Sequence, residues 1–165
     1  MAKDNSFDVV SQVDMQEADN AYGQATKELT QRYDLKDSGA KIEFDKQEGS
    51  FTVLAPSDFV SSQVIDILGS KLIRRGIDLK SVDWGAPEAA SSGQVRTTGK
   101  IINGIDQEIS RKINKAIKDK KYKVKVTIEG DKLRVSGPKR DVLQEVITFL
   151  KEQDYGLPLQ FENYR

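Results

Sequence analysis

The chain contains no cysteine and no histidine. Without cysteine there is no disulfide framework, no thiolate nucleophile and no cysteine-ligated zinc. Without histidine the commonest general base and the commonest metal ligand are both missing. Ser-His-Asp catalysis and HExxH zinc chemistry are excluded, which leaves an enzyme only carboxylate, lysine or magnesium chemistry. The phosphate-cradling signatures GxxxxGKS/T and GxGxxG are absent as well. Asp4, Asp8, Asp14, Glu17 and Asp19 cluster near the start but show no DxD spacing. No enzyme activity, cofactor or metal is therefore expected. No apolar run approaches the roughly 20 residues of a membrane span. The opening residues, MAKDNSFDVV, lack the charged-then-apolar layout of a secretory signal, so the expected location is the cytoplasm.

What is present is charge, in equal and unevenly spread amounts. The 165 residues hold 26 Lys and Arg against 26 Asp and Glu. Residues 1–58 carry twelve acidic and six basic side chains, whereas residues 105–125 carry eight basic and three acidic ones. The basic character is local and invisible in the net charge. Such a surface attracts phosphate, though it also serves simply to keep a protein in solution.

A shift of 82 residues lays the chain on itself. Ile42 and Phe44 meet Val124 and Val126, and Phe51 and Val53 meet Leu133 and Val135. Pro56 meets Pro138, and Val60, Val64, Ile65 and Leu68 meet Val142, Val146, Ile147 and Leu150. One shift that aligns two strands and a helix indicates two copies of one supersecondary unit. In the first copy, Asp14 and Glu17 make a capping-box pattern, and Met15, Ala18, Tyr22, Ala25 and Leu29 form an apolar stripe. Alternating segments at 40–45 and 50–55 flank a turn at Gln47-Glu48-Gly49. A helix follows Pro56-Ser57 and ends near Arg75, with Gly76 as its C-terminal cap, and a short strand lies around 78–84. The second copy repeats the order: a helix near 104–120, a hairpin turning at Glu129-Gly130-Asp131, a helix opened by Pro138, and a strand in LPLQFENY. Strands at 6–12 and 94–101 precede the first helix of each copy, and 85–94 reads as a loop.

Each copy thus has the order β-α-β-β-α-β, the split arrangement of an α+β, ferredoxin-like or RNA-recognition-like domain. With helices on one face of each sheet, the other face is expected to be open. Val124, Val126, Leu133 and Val135 would point to the helices, and Lys123, Lys125 and Arg134 to the open face. Neither hairpin strand offers a carboxylate of matching parity if Glu129 and Asp131 lie in the turn. A ligand's phosphates are then the expected counter-charge.

Several stretches together resemble the bacterial YajQ family over essentially the whole chain. They are SFDVVSQVDMQE, KLIRRGID (71–78), GIDQEISRKINKAIKD (104–119), VSGPKRDVLQ (135–144) and LPLQFENYR. The resemblance implies two ferredoxin-like domains that exchange their N-terminal strands. The first would span 13–101, including the strand at 94–101. The second would combine 1–12 with 102–165. It also implies nucleotide binding, with cyclic di-GMP as one suggested ligand and RNA as another, and it carries no catalytic residues.

Three groups of cations are candidates for binding. Arg111, Lys115 and Lys118 share a helix face and lead into Lys123 and Lys125, with Arg134 across the hairpin. Lys139 and Arg140 stand at a helix start where the first copy has Ser57 and Asp58. Cations there oppose the helix dipole, and a bound anion would reverse that. Arg74 and Arg75 end a helix, where the dipole favours them, and arginine can also grip guanine. The hairpin lacks the aromatic platform of RNA-recognition sheets and the K/R-G-F/Y signature, which speaks against single-strand base readout. The reading is a non-catalytic nucleotide-binding protein, with sequence-nonspecific RNA binding and a protein–protein adaptor as alternatives.

Overall fold

The computed structural model describes residues 4–165. It is a mixed α+β structure with four helices and antiparallel sheets among these residues. Two compact units emerge. One, called central here, is Val13–Ile102; the other, called terminal, joins the chain up to Gln12 with Asn103–Arg165.

The central unit opens with α1 (Met15–Gln31), whose first turn is held by the Asp14 carboxylate accepting from the amides of Gln16 and Glu17. Glu17 does not complete a capping box. Its side chain turns outward to Asn20 and Arg75. Ala18, Ala21, Ala25 and Leu29 are the buried stripe; Ala21 takes the place expected of Tyr22, which packs half-buried against Phe44. The small side chains let α1 lie close to α2 (Asp58–Arg74), which contributes Val64, Leu68 and Leu72 to the core. Ser57 caps α2 by accepting from the Val60 amide. At the other end Gly76, at φ +80°, lets its own N–H reach the Ile73 carbonyl and that of Ile77 reach Leu72. This is the left-handed helix stop for which glycine has no steric penalty.

β2 (Lys41–Asp45), β3 (Ser50–Ala55), β4 (Val82–Trp84) and β6 (Val95–Ile101) form the central sheet in the order β2-β3-β6-β4. The segment expected to be pure loop contains a two-residue strand, β5 (Glu88–Ala89), paired to β6. Gly99 of β6 lies beneath Trp84: a Cβ there would stand 2.7 Å from the indole ring. Only glycine lets the sole tryptophan close over this sheet edge.

In the terminal unit, β1 (Asn5–Val10), β7 (Lys125–Glu129), β8 (Lys132–Gly137) and β9 (Gln160–Glu162) line up as β7-β8-β1-β9. The central order recurs, with β1 in the place of β6. α3 (Gln107–Asp119), capped by Asp106, and α4 (Arg140–Glu152) bring Ile113, Ile117, Leu143, Val146, Ile147 and Leu150 into the core with Phe7, Val9, Leu133 and Val135. Pro138 precedes the cap residue of α4 rather than opening its first turn.

The 82-residue shift holds from β3 to β8 and for the starts of α2 and α4. It fails for the strands before them. Val53 pairs with Ile42, while Val135 pairs with Val126, so Ile42 corresponds to Val126 and not to Val124. The cause is the hairpin loop, four residues in the central unit and two in the terminal one. A difference of two preserves which face each side chain takes, so the apolar pattern alone could not reveal it.

Candidate functional site

The expectation of an open, unneutralised sheet face does not hold. β1 pairs with β8 so that Asp8 lies directly opposite Arg134. Phe7 and Val9 face the helices, so Asp8 and Val10 face the other way, yet they are only 2% and 1% exposed. Arg134 Nε donates to Asp8 Oδ1 at 3.1 Å, Lys132 Nζ approaches Oδ2 at 3.5 Å, and Asn163 Nδ2 donates to Oδ2 at 2.9 Å. Glu129, expected in the turn, is the last residue of β7 and lies 3.7 Å from Arg134. Burial opposes ionisation of Asp8, but the bonds from Asn163 and Arg134 and the charges of Arg134 and Lys132 outweigh it, holding its carboxyl below the ordinary range. The bond to Asp8 and the charges of Asp8 and Glu129 in turn raise the pKa of Arg134. Arg134 is thus part of the sheet's own ionic centre.

Asn163 reaches Asp8 because the last strand carries an extra residue. Asp8 pairs with Glu162, and Ser6 exchanges both backbone bonds with Arg165. Three steps of the last strand thus match two of β1, with Asn163 bulged out at φ +57°. Asparagine is the usual non-glycine residue in that region. Past the bulge, the Tyr164 ring comes to 6.3 Å from that of Phe7.

The remaining cations are spread over separate places. Lys125 is exposed on β7, with the parity of the Arg134 face, and Lys123 is exposed two residues before that strand begins. Arg111, Lys115 and Lys118 are exposed on α3, on the face turned away from Ile113 and Ile117 and hence away from the sheet. None of these five, nor Lys139, makes an ion pair among the described residues, in contrast to Lys112, Lys132 and Arg134. In the central unit, Arg75 reaches Glu17 at 3.5 Å and Gln24 at 3.5 Å. Arg74 borders a polar hollow shared with Lys71 and Glu28. Lys71 donates to Glu28 at 2.8 Å and holds that carboxyl below its ordinary range. The helix dipole favours both arginines, and Arg75 also meets an acid of α1.

At the start of α4, Lys139 is the cap residue and supplies no side-chain hydrogen bond. Replacing Lys139 with serine, the residue at the matching position of α2, is expected to stabilise the protein by about 1 kcal/mol. Differential scanning calorimetry should read this as a rise of about 4–8 °C in the unfolding midpoint of this small unit. Arg140 turns to the helix side of the sheet: its Nε donates to Asn5 Oδ1 at 3.2 Å, and Asn5 shares the parity of Phe7 and Val9. The helix start and the Lys125 face therefore do not form the single anion-binding surface expected from sequence. Arg140 instead borders a cleft of about 290 Å³ with Asn5, Phe7, Leu143, Gln144, Tyr164 and Arg165. Sequence reasoning missed Asn5, Tyr164 and Arg165 as neighbours of Arg140, since only the placement of β1 and the bulge brings them together.

The acidic cluster at the start does not persist in space. Asp8 belongs to the terminal sheet and Asp14 and Glu17 to α1, and no group of carboxylates that could hold a metal occurs among the described residues. No helix among them is long and apolar enough to cross a membrane.

These features define an α+β protein whose two sheets share one strand order. The family model described as "Nucleotide-binding protein YajQ-like" matches residues 5–165, and the chain belongs to the YajQ family. It is 48% identical over 165 residues to a protein of Chloroherpeton thalassium named "Nucleotide-binding protein", with both chains covered completely. A protein of the same name from Alkaliphilus oremlandii is 47% identical, again with both chains fully covered. One from Saccharopolyspora erythraea is 48% identical over 164 residues, covering 98% of this chain and 99% of its own.

Proposed function

We propose that this protein is a non-catalytic, cytoplasmic nucleotide-binding protein that acts as a cyclic di-GMP effector. In this reading it consists of two ferredoxin-like domains with exchanged N-terminal strands, 13–101 and 1–12 plus 102–165. The recurring strand order supports that architecture. The relatives' names support the ligand class.

The observation that carries the reading is the division of charge. The segments Met1–Gln12 and Asn103–Arg165 hold 15 Lys and Arg against 12 Asp and Glu, and Val13–Ile102 holds 11 against 14. The terminal surplus is exposed, and unpaired among the described residues, at Arg111, Lys115, Lys118, Lys123, Lys125 and Lys139, so phosphates can approach it without displacing an internal partner. The row on α3 also favours a second reading, sequence-nonspecific RNA binding. The exposed Ile73 and Leu79, beside Trp84, favour a third, protein–protein contact.

Parallel titrations of the full chain with cyclic di-GMP, GTP and tRNA at two salt concentrations test the choice. Saturable binding of cyclic di-GMP at least tenfold tighter than GTP is expected. Binding to tRNA alone, falling steeply with salt, would replace this reading with the RNA one. No binding to any of the three would leave the adaptor.

A further inference from the structure

One of the places where the terminal unit presents cations is concave, the cleft beside α4, and small ligands bind in concavities rather than on flat charged faces. The floor of the cleft beside α4 is apolar: Phe7, Leu143 and Ile147. Arg140 stands at its border, and only its Nε is engaged, by Asn5. Its terminal nitrogens remain free among the described residues. Arg165 also borders the cleft and makes no ion pair among them. None of the nine lining residues is acidic. Tyr164, another lining residue, is 59% exposed, so its ring is accessible from solvent. Asn5 and Gln144 provide amide groups that can both donate and accept.

An aromatic ring with an open side, an apolar floor, amides and unpaired guanidinium nitrogens together match a planar heterocycle attached to a phosphate. The ring stacks the base, as aromatics do with any nucleobase. The guanidinium, planar and always charged, forks onto phosphate oxygens. The matching positions in the central unit, Ser57 and Asp58, could not do so, because Asp58 would repel the phosphate.

We infer that the cleft between β1, the segment after the Asn163 bulge and α4 binds a single nucleotide unit, its base stacked on Tyr164 and its phosphate held by Arg140. About 290 Å³ lies at the small end of ligand pockets, so the cleft holds one nucleotide at a time. That unit can be a mononucleotide, one half of a cyclic dinucleotide or one residue of an RNA strand. The inference rests on the nucleotide-binding reading above and assigns that reading its location.

The test is calorimetric titration of the full chain with GMP, cyclic di-GMP, a short single-stranded RNA and inorganic phosphate. The ligands identify the source of the unit, and the tightest binder is the one the site serves. Tyr164→Ala should weaken nucleotide binding about tenfold or more and leave phosphate binding unchanged, and Tyr164→Phe should restore it. Arg140→Gln should weaken nucleotide and phosphate alike. Gln144→Trp, at an exposed position of α4, should fill the cleft and abolish nucleotide binding without removing any core contact. It therefore serves as the deciding variant if Tyr164→Ala perturbs folding through Phe7. Wild-type nucleotide affinity in Gln144→Trp and Arg140→Gln, with unchanged thermal unfolding, would overturn the cleft and leave the nucleotide-binding reading standing. Absence of nucleotide binding in the unaltered protein would overturn both.

Discussion

A fragment of residues 102–165 is expected not to fold. β1 sits between β8 and β9, so its loss separates β9 from the sheet and leaves β8 with an unpaired edge. It also removes Phe7, Val9 and Val10, which are 1%, 0% and 1% exposed. Burial of three such side chains contributes on the order of 6 kcal/mol. That is comparable with the whole stability of a small domain, about 5–15 kcal/mol. Circular dichroism of the fragment should show no cooperative melt, and adding a synthetic peptide of residues 1–12 should restore one. A fragment that unfolds cooperatively by itself would show the strand to be dispensable.

Replacing Asp8 is expected to have the next largest effect. Asp8→Ala leaves Arg134 and Lys132 converging on an empty, mostly desolvated position and removes the acceptor of Asn163. Losing one partner from a buried ionic centre costs about 3 kcal/mol or more. Asp8→Asn keeps the shape and some of the hydrogen bonding, at a cost of about 1–3 kcal/mol. Because the folded carboxyl titrates below its ordinary 3.8, the stability it confers is complete above that value. It is lost as the pH falls through the depressed folded value. Urea melts at pH 7 and pH 3 should therefore show a smaller gap between Asp8→Asn and the unaltered chain at pH 3. An equal gap at both would mean that the charge of Asp8 contributes nothing. For the same reason Arg134→Glu is a poor probe of ligand binding: it sets a second carboxylate against a buried one and should destabilise the sheet, as a thermal melt would show. Reversing Lys125 should leave that centre intact, since no ion pair among the described residues holds it.

The parity of Asp8 was present in the string FDVV, where a carboxylate alternates with Phe7 and Val9. Reading the two hairpin strands alone hid its role, because the counter-charge to Arg134 arrives on a strand more than a hundred residues away in sequence. Similarly, Lys139 and Arg140 stood out against Ser57 and Asp58 from the repeat, and the missing cap on α4 agrees with that contrast. The direction in which Arg140 turns did not follow from it, since that depends on Asn5.

Local sequence by itself determined the four helices and most of the strands of this protein. Asp14 and Ser57 start helices, Gly76 stops one, and the period of the apolar residues tells strand from helix, because capping and periodicity act within a few residues of chain. The absence of cysteine and histidine likewise settled from composition alone which catalytic chemistries the protein lacks. Tertiary structure decided which charges are free. Lysines and arginines look alike along the chain, and a cation is paired or available only according to what the sheet register sets across from it. Arg134 is bound because β1 lies beside β8 and aligns Asp8 with it. The cleft at Arg140 exists because one extra residue at Asn163 turns Tyr164 back toward Phe7. Both depend on contacts between distant segments, which the local pattern of residues cannot encode.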